Sequence, residues 1–98
     1  MRAKKVDQSH REIRDALREA GVVVHDCSAV GFGYPDLHCS YRGYSALVEC
    51  KTKSRGELRE SQRDFMNEWQ GPLFVALSGD EAVAKFFEGY AVSVLKKI

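Results

Sequence analysis

Gly33-Tyr34-Pro35-Asp36-Leu37 and, one hairpin later, Leu47-Val48-Glu49-Cys50-Lys51 are the stretches whose reading decides the fold. In a strand successive side chains alternate faces, so Glu49 and Lys51 point one way while Val48 and Cys50 enter the opposite layer. Arg42-Gly43 reads as the turn of a hairpin joining Asp36–Tyr41 to Tyr44–Thr52. If those strands pair, Asp36 joins Glu49 and Lys51 at one point. Two carboxylates then offer hard oxygen ligands to a divalent cation such as Mg²⁺, and the Lys51 ammonium lies where a phosphate would sit.

Working outward, Ile13, Ala16, Leu17 and Ala20 recur at helical spacing and predict a first helix over Gln8–Ala20, stopped by Gly21. The β-branched run Val22-Val23-Val24 reads as a buried strand. Ser28–Pro35, with Gly31 and Gly33, reads as a loop. After a basic connector, Lys53–Glu57, a second helix is expected over Leu58–Gln70, with Leu58, Phe65, Met66 and Trp69 as its apolar stripe and Gly71-Pro72 as its end. Leu73–Leu77 reads as a strand, and Ser78-Gly79-Asp80-Glu81 as a capping box opening a helix that carries Ala82, Val83, Phe86 and Phe87. The tail Ala91–Leu95 fits either a last short strand or more helix. The expected fold is α/β, in the order α-β-β-β-α-β-α, one mixed sheet flanked by helices.

Ninety-eight residues make a single domain over 1–98, large enough for one core. With 44% hydrophobic and 30% charged residues the composition is that of a globular chain, neither disordered nor membrane-embedded. No apolar run approaches the roughly 20 residues that span a bilayer. Met1-Arg2-Ala3-Lys4-Lys5 is not followed by a hydrophobic stretch, so the expected location is the cytoplasm. Cys27, Cys39 and Cys50 read as reduced thiols serving as small apolar side chains.

The net charge of +1 hides a local asymmetry. Lys4, Lys5, Arg11, Arg14 and Arg18 cluster at one end of the sequence, while Lys53, Arg55, Arg59 and Arg63 follow Lys51. Locally basic surface attracts phosphates even when the total is balanced. The candidate DNA contacts are Lys4, Lys5, Arg11, Lys53, Arg55 and Arg59; the plain alternative is two solvated helix faces.

Pro35-Asp36 with Glu49-Cys50-Lys51 resembles the two halves of the PD-(D/E)-x-K nuclease signature. More narrowly, the early helix ending in Ala20-Gly21, Gly33-x-Pro35-Asp36-Leu37, Glu49-x-Lys51 and Leu58-x-x-x-Gln62 are similar to the virus-type replication-repair nuclease (VRR-NUC) domain, over about Asp7 to Ser78. The resemblance implies a restriction-endonuclease-like core, Mg²⁺ or Mn²⁺ as cofactor, and a stand-alone homodimer that prefers branched DNA such as four-way (Holliday) junctions.

Phosphodiester hydrolysis requires an activated water placed in line and charge stabilisation on the phosphate and leaving oxygen. Asp36 and Glu49 are the candidate metal ligands, with the Cys50 backbone carbonyl as a third oxygen. The plain alternatives are a turn aspartate after proline and a surface Glu49–Lys51 pair. Glu49, however, follows Ala46-Leu47-Val48, where an unpaired charge is costly. Lys51 would position the attacking water or neutralise the transition state.

Glu12 matches the acidic residue that the family places on its first helix and would reach the metal through water; Asp7 and His10 compete for the role. Gln62 lies on the apolar side of the second helix, where a polar amide needs a partner. In the family a glutamine there orients the catalytic lysine or a water. His25, Cys27, His38 and Cys39 lack zinc-site spacing, since adjacent His38 and Cys39 face opposite sides of a strand. Gly33 and Tyr34 read either as an approach for the DNA backbone or as a turn.

The leading expectation is a metal-dependent DNA endonuclease of repair and recombination type. Cutting two strands symmetrically calls for a two-fold dimer, and Phe86–Leu95 is either its interface or intrachain core. The alternative, from another class, is a non-catalytic DNA-binding or assembly module on a nuclease-like fold. Metal chemistry alone also admits RNA or small phosphoesters as substrates.

Overall fold

Arg42 and Gly43 adopt φ of 47° and 83°. Positive φ at both central residues is what a two-residue type I′ hairpin turn requires, and it sets the register of the strands on either side. In a computed structural model, which describes residues 8–52 and 57–98, that hairpin joins β2 (Leu37–Tyr41) to β3 (Tyr44–Cys50). It is preceded by α1 (Gln8–Glu19) and β1 (Val23–Asp26), and followed by α2 (Glu60–Glu68), β4 (Leu73–Ala76) and α3 (Gly79–Leu95). The strands form one mixed sheet in the order β1-β2-β3-β4, in which β4 alone pairs in parallel. The chain is thus α/β, in the expected order α-β-β-β-α-β-α.

Register divides the sheet into two faces. Val24, Leu37, Cys39, Ala46, Val48 and Ala76 turn to one side, where Ile13 and Leu17 of α1 and Ala82 and Phe86 of α3 complete the core. Full burial of a side chain such as Phe86 is worth about 1.5–3 kcal/mol. The opposite face carries Val23, His25, His38, Leu47, Glu49 and Val75. α2 covers its Glu49 end.

The ends of α1 and α3 follow local chemistry. Gly21, at φ 93°, takes the left-handed conformation after α1, with hydrogen bonds from Gly21 N to the Arg18 carbonyl and from Val22 N to the Leu17 carbonyl. Ser78 caps α3, its Oγ accepting from the Glu81 amide at 3.1 Å. The reciprocal half of the expected capping box shifts by one residue, because the Glu81 carboxylate accepts from Leu77 N at 2.8 Å.

Two expectations are corrected and a third, left open, is resolved. The Val22–Val24 run is not a buried strand: β1 is an edge strand with one covered face, and Val23 is 55% exposed. α2 ends at Glu68 and its apolar stripe is only half covered; its buried residue is Gln62. The Phe86–Leu95 segment divides. Phe86 is core, Phe87 and Tyr90 lock edge-to-face onto Tyr41, and Val92, Val94 and Leu95 are exposed on the last turns of α3. Because that aromatic anchor already fixes the helix, the tail continues it instead of starting a strand. Among the described residues no helix is long and apolar enough to cross a membrane.

Candidate metal and phosphate site

The site forms where β3 ends. Asp36 immediately precedes β2 and stands across from Glu49, one step beyond the Leu37–Val48 pair. Its carbonyl accepts from Cys27 N at 2.7 Å, and its Oδ2 accepts from the Cys50 amide at 2.9 Å. Lys51 leaves the strand with its own amide bonded to the Ala76 carbonyl at 3.0 Å. Ser9 Oγ donates to the Lys51 carbonyl at 3.2 Å, which brings the start of α1 to the same place.

Glu49 is 2% exposed, and a buried carboxylate is tolerated only with partners. Gln62 Nε2 donates to Glu49 Oε2 at 2.6 Å, and Lys51 Nζ lies 3.3 Å from the same oxygen. The Gln62 amide oxygen accepts from Lys51 Nζ at 2.9 Å and from Arg59 N at 2.8 Å. That last bond satisfies an otherwise orphaned amide at the start of α2, as the far side of a capping box does. One side chain therefore starts the helix and spans the ion pair.

Burial pushes the Glu49 carboxyl up to about 7, with the neighbouring Asp36 charge adding to the shift and Lys51 and Arg59 opposing it. A carboxyl so poised gains from a cation beside it. Asp36 and Glu49 supply the oxygen donors that Mg²⁺ and Mn²⁺ take, so the residues fit the expected ion.

Close packing also shapes the approach to the site. Gly33 has φ 80°, and a β-carbon there would collide with the Ser61 carbonyl. The close approach that glycine allows is to the first turn of α2, which fills the space proposed for a DNA backbone. Tyr34 packs edge-to-face on Phe65, centroids 5.1 Å apart, and ties the same loop to α2.

Asp36, Glu49, Lys51, Gln62 and the Cys50 backbone are thus brought together. Glu12 is not: it is exposed, and its backbone and Cγ lie against Gly79 at the start of α3. His10, one of its competitors, is 6% exposed and turned inward, with Nε2 2.9 Å from Asp26 Oδ2. The signal for this is the periodicity: His10, Ile13 and Leu17 share the buried stripe, and Glu12 falls beside it. The other competitor, Asp7, lies outside the described residues, as do Lys4, Lys5, Lys53 and Arg55. Arg11 and Arg59 are exposed, and Arg59 is close enough for its charge to act on Glu49.

Sequence reasoning missed the Cys50 side chain and Asp26. Among the described residues, donor atoms of His10, Asp36 and Cys50 all lie within 4.8 Å of one another. His25 and His38 pair across β1 and β2 on the exposed face, while Cys39 is in the core with its thiol pushed up to about 12 by burial. No family model, curated protein or solved structure matches this chain.

Proposed function

We propose that the protein is a metal-dependent DNA endonuclease, with a VRR-NUC-like site. The observation that carries this reading is the buried Glu49 carboxylate held between Lys51 Nζ and Gln62 Nε2, directly across from Asp36. A bound Mg²⁺ or Mn²⁺ would polarise a phosphoryl oxygen and lower the pKa of a bound water. Asp36 and Glu49 would hold that ion. Lys51, oriented by Gln62, presents its ammonium to the scissile phosphate and offsets charge that develops there. Arg59, at the mouth of the site, adds sequence-independent attraction for the backbone. Paired cuts in branched DNA would come from two copies related by a two-fold axis, for which exposed Val92, Val94 and Leu95 offer apolar surface.

One observation favours the non-catalytic module instead. Among the described residues no buried side-chain donor or acceptor lacks a partner, so the Glu49–Lys51–Gln62 cluster is satisfied as a purely structural ion pair. Cleavage of labelled four-way junction, flap, nicked and linear duplex DNA with Mg²⁺ or Mn²⁺ decides between them. Metal-dependent cutting that Glu49→Ala abolishes is expected. No cutting of any substrate sinks the enzyme reading, and equal cutting by the variant rejects the site.

A further inference from the structure

We propose that His10, Asp36 and Cys50 form a binding site for a borderline-soft divalent cation of the Zn²⁺ class. The three come from different elements: the buried face of α1, the entry to β2 and the last residue of β3. Their donor atoms lie within 4.8 Å of one another. Ligands of one tetrahedral Zn²⁺ stand roughly 3.3–3.6 Å apart, given bonds of about 2.0–2.3 Å, so side-chain adjustments of about 1 Å close the shell. Three protein ligands leave the fourth position to water.

The surroundings are built for it. His10 is held by Asp26 at 2.9 Å, and Asp26 in turn accepts from the Ser28 amide at 2.9 Å and the Ser28 hydroxyl at 2.6 Å. A carboxylate behind an imidazole fixes the ring and raises its basicity as a ligand. The bond from Cys50 N to Asp36 Oδ2 ties the other two ligands together through the backbone. Cys50 is a thiol outside any disulfide. On binding it gives its proton to solvent, and one thiolate and one carboxylate then balance the charge of a divalent ion.

Imidazole and thiolate select against Mg²⁺, which takes oxygen ligands. An ion held here engages Asp36, so Zn²⁺ would inhibit Mg²⁺-dependent cleavage; that consequence, unlike the site itself, rests on the nuclease reading.

The test is Co²⁺ titration of the full chain followed by Zn²⁺, read by absorption. A near-ultraviolet thiolate-to-Co²⁺ charge-transfer band is expected at one equivalent, bleached by Zn²⁺, lost in Cys50→Ser and kept in Cys27→Ser. Asp26→Asn should weaken Zn²⁺ binding by about 10-fold or more. Absence of the band in the wild type, or its survival in Cys50→Ser, overturns the proposal. Should Cys50→Ser unfold, alkylation of the wild type decides: Zn²⁺ slows modification of Cys50 and not of Cys27, and equal slowing or none overturns the site. None of these readouts uses cleavage, so a protein that cuts no DNA can still pass, and an active nuclease can still fail.

Discussion

Gln62 Nε2 donates to Glu49 Oε2 at 2.6 Å, joining residues 13 positions apart on α2 and β3. The Gln62 amide oxygen accepts from Lys51 and from the Arg59 backbone, so one amide neutralises three demands at once. Removing it takes one hydrogen bond from each member of the buried Glu49–Lys51 pair and leaves the Arg59 amide at the helix start without its partner.

Gln62→Ala is therefore expected to destabilise the fold by about 1–3 kcal/mol, the cost of leaving buried polar groups unpaired. Urea denaturation monitored by Trp69 fluorescence measures it. A loss below the scatter of exposed-surface substitutions would mean that water replaces the amide without penalty.

Glu49 makes stability depend on pH in a defined window. Its carboxyl has an ordinary value of 4.5 and is pushed up to about 7 in the fold, chiefly by burial. Between those values the folded protein holds a proton that the unfolded chain has released, so stability falls as pH rises through the window and levels off above it. At 1.36 kcal/mol per unit the effect is at most on the order of 3 kcal/mol. The difference between wild type and Glu49→Gln, followed by denaturation from pH 4 to 8, isolates it; parallel curves would show that Glu49 titrates in the fold as it does in the unfolded chain.

Lys51→Met keeps the length of the stem and removes the ammonium. On the proposed mechanism cleavage should fall by about 10²-fold or more, as when one preorganised electrostatic contact is lost. Single-turnover assays at saturating Mn²⁺ measure the chemical step, and unchanged far-ultraviolet circular dichroism excludes unfolding. Undiminished turnover would remove Lys51 from the chemistry.

Gly33 and Gly31 offer a matched pair, at φ 80° and 76°. An alanine at either costs about 1–2 kcal/mol for the left-handed backbone. Only Gly33→Ala also drives a methyl into the Ser61 carbonyl, whereas nothing lies within 4 Å of the same atom at Gly31. Gly33→Ala should lose clearly more stability in denaturant than Gly31→Ala. Equal losses would mean that the first turn of α2 yields.

Much of this fold was legible because its signals are local. The Arg42-Gly43 turn, the alternation through β3, the Gly21 stop and the Ser78 cap each depend on residues within a few positions. Where the reading failed or stayed open, the deciding contact was distant. Nothing in Val22-Val23-Val24 reveals that, among the described residues, no strand lies beyond β1, and nothing in Ala91–Leu95 reveals the aromatic anchor on Tyr41 that carries α3 onward.

The site divides in the same way. The sequence by itself determined that Glu49 and Lys51 share a face, because strand alternation is a property of the backbone. It also placed Asp36 beside them, because a two-residue turn sets the hairpin register. Helical periodicity already sets His10 on the Ile13 and Leu17 stripe with Glu12 beside it; only the tertiary structure decided where that stripe docks, with His10 turned inward and Glu12 left outside against Gly79. It likewise brought His10 in front of Asp26 and up to the Asp36 and Cys50 end of the hairpin, since those contacts depend on how α1 packs across the sheet, a distance in space that no spacing in the chain records.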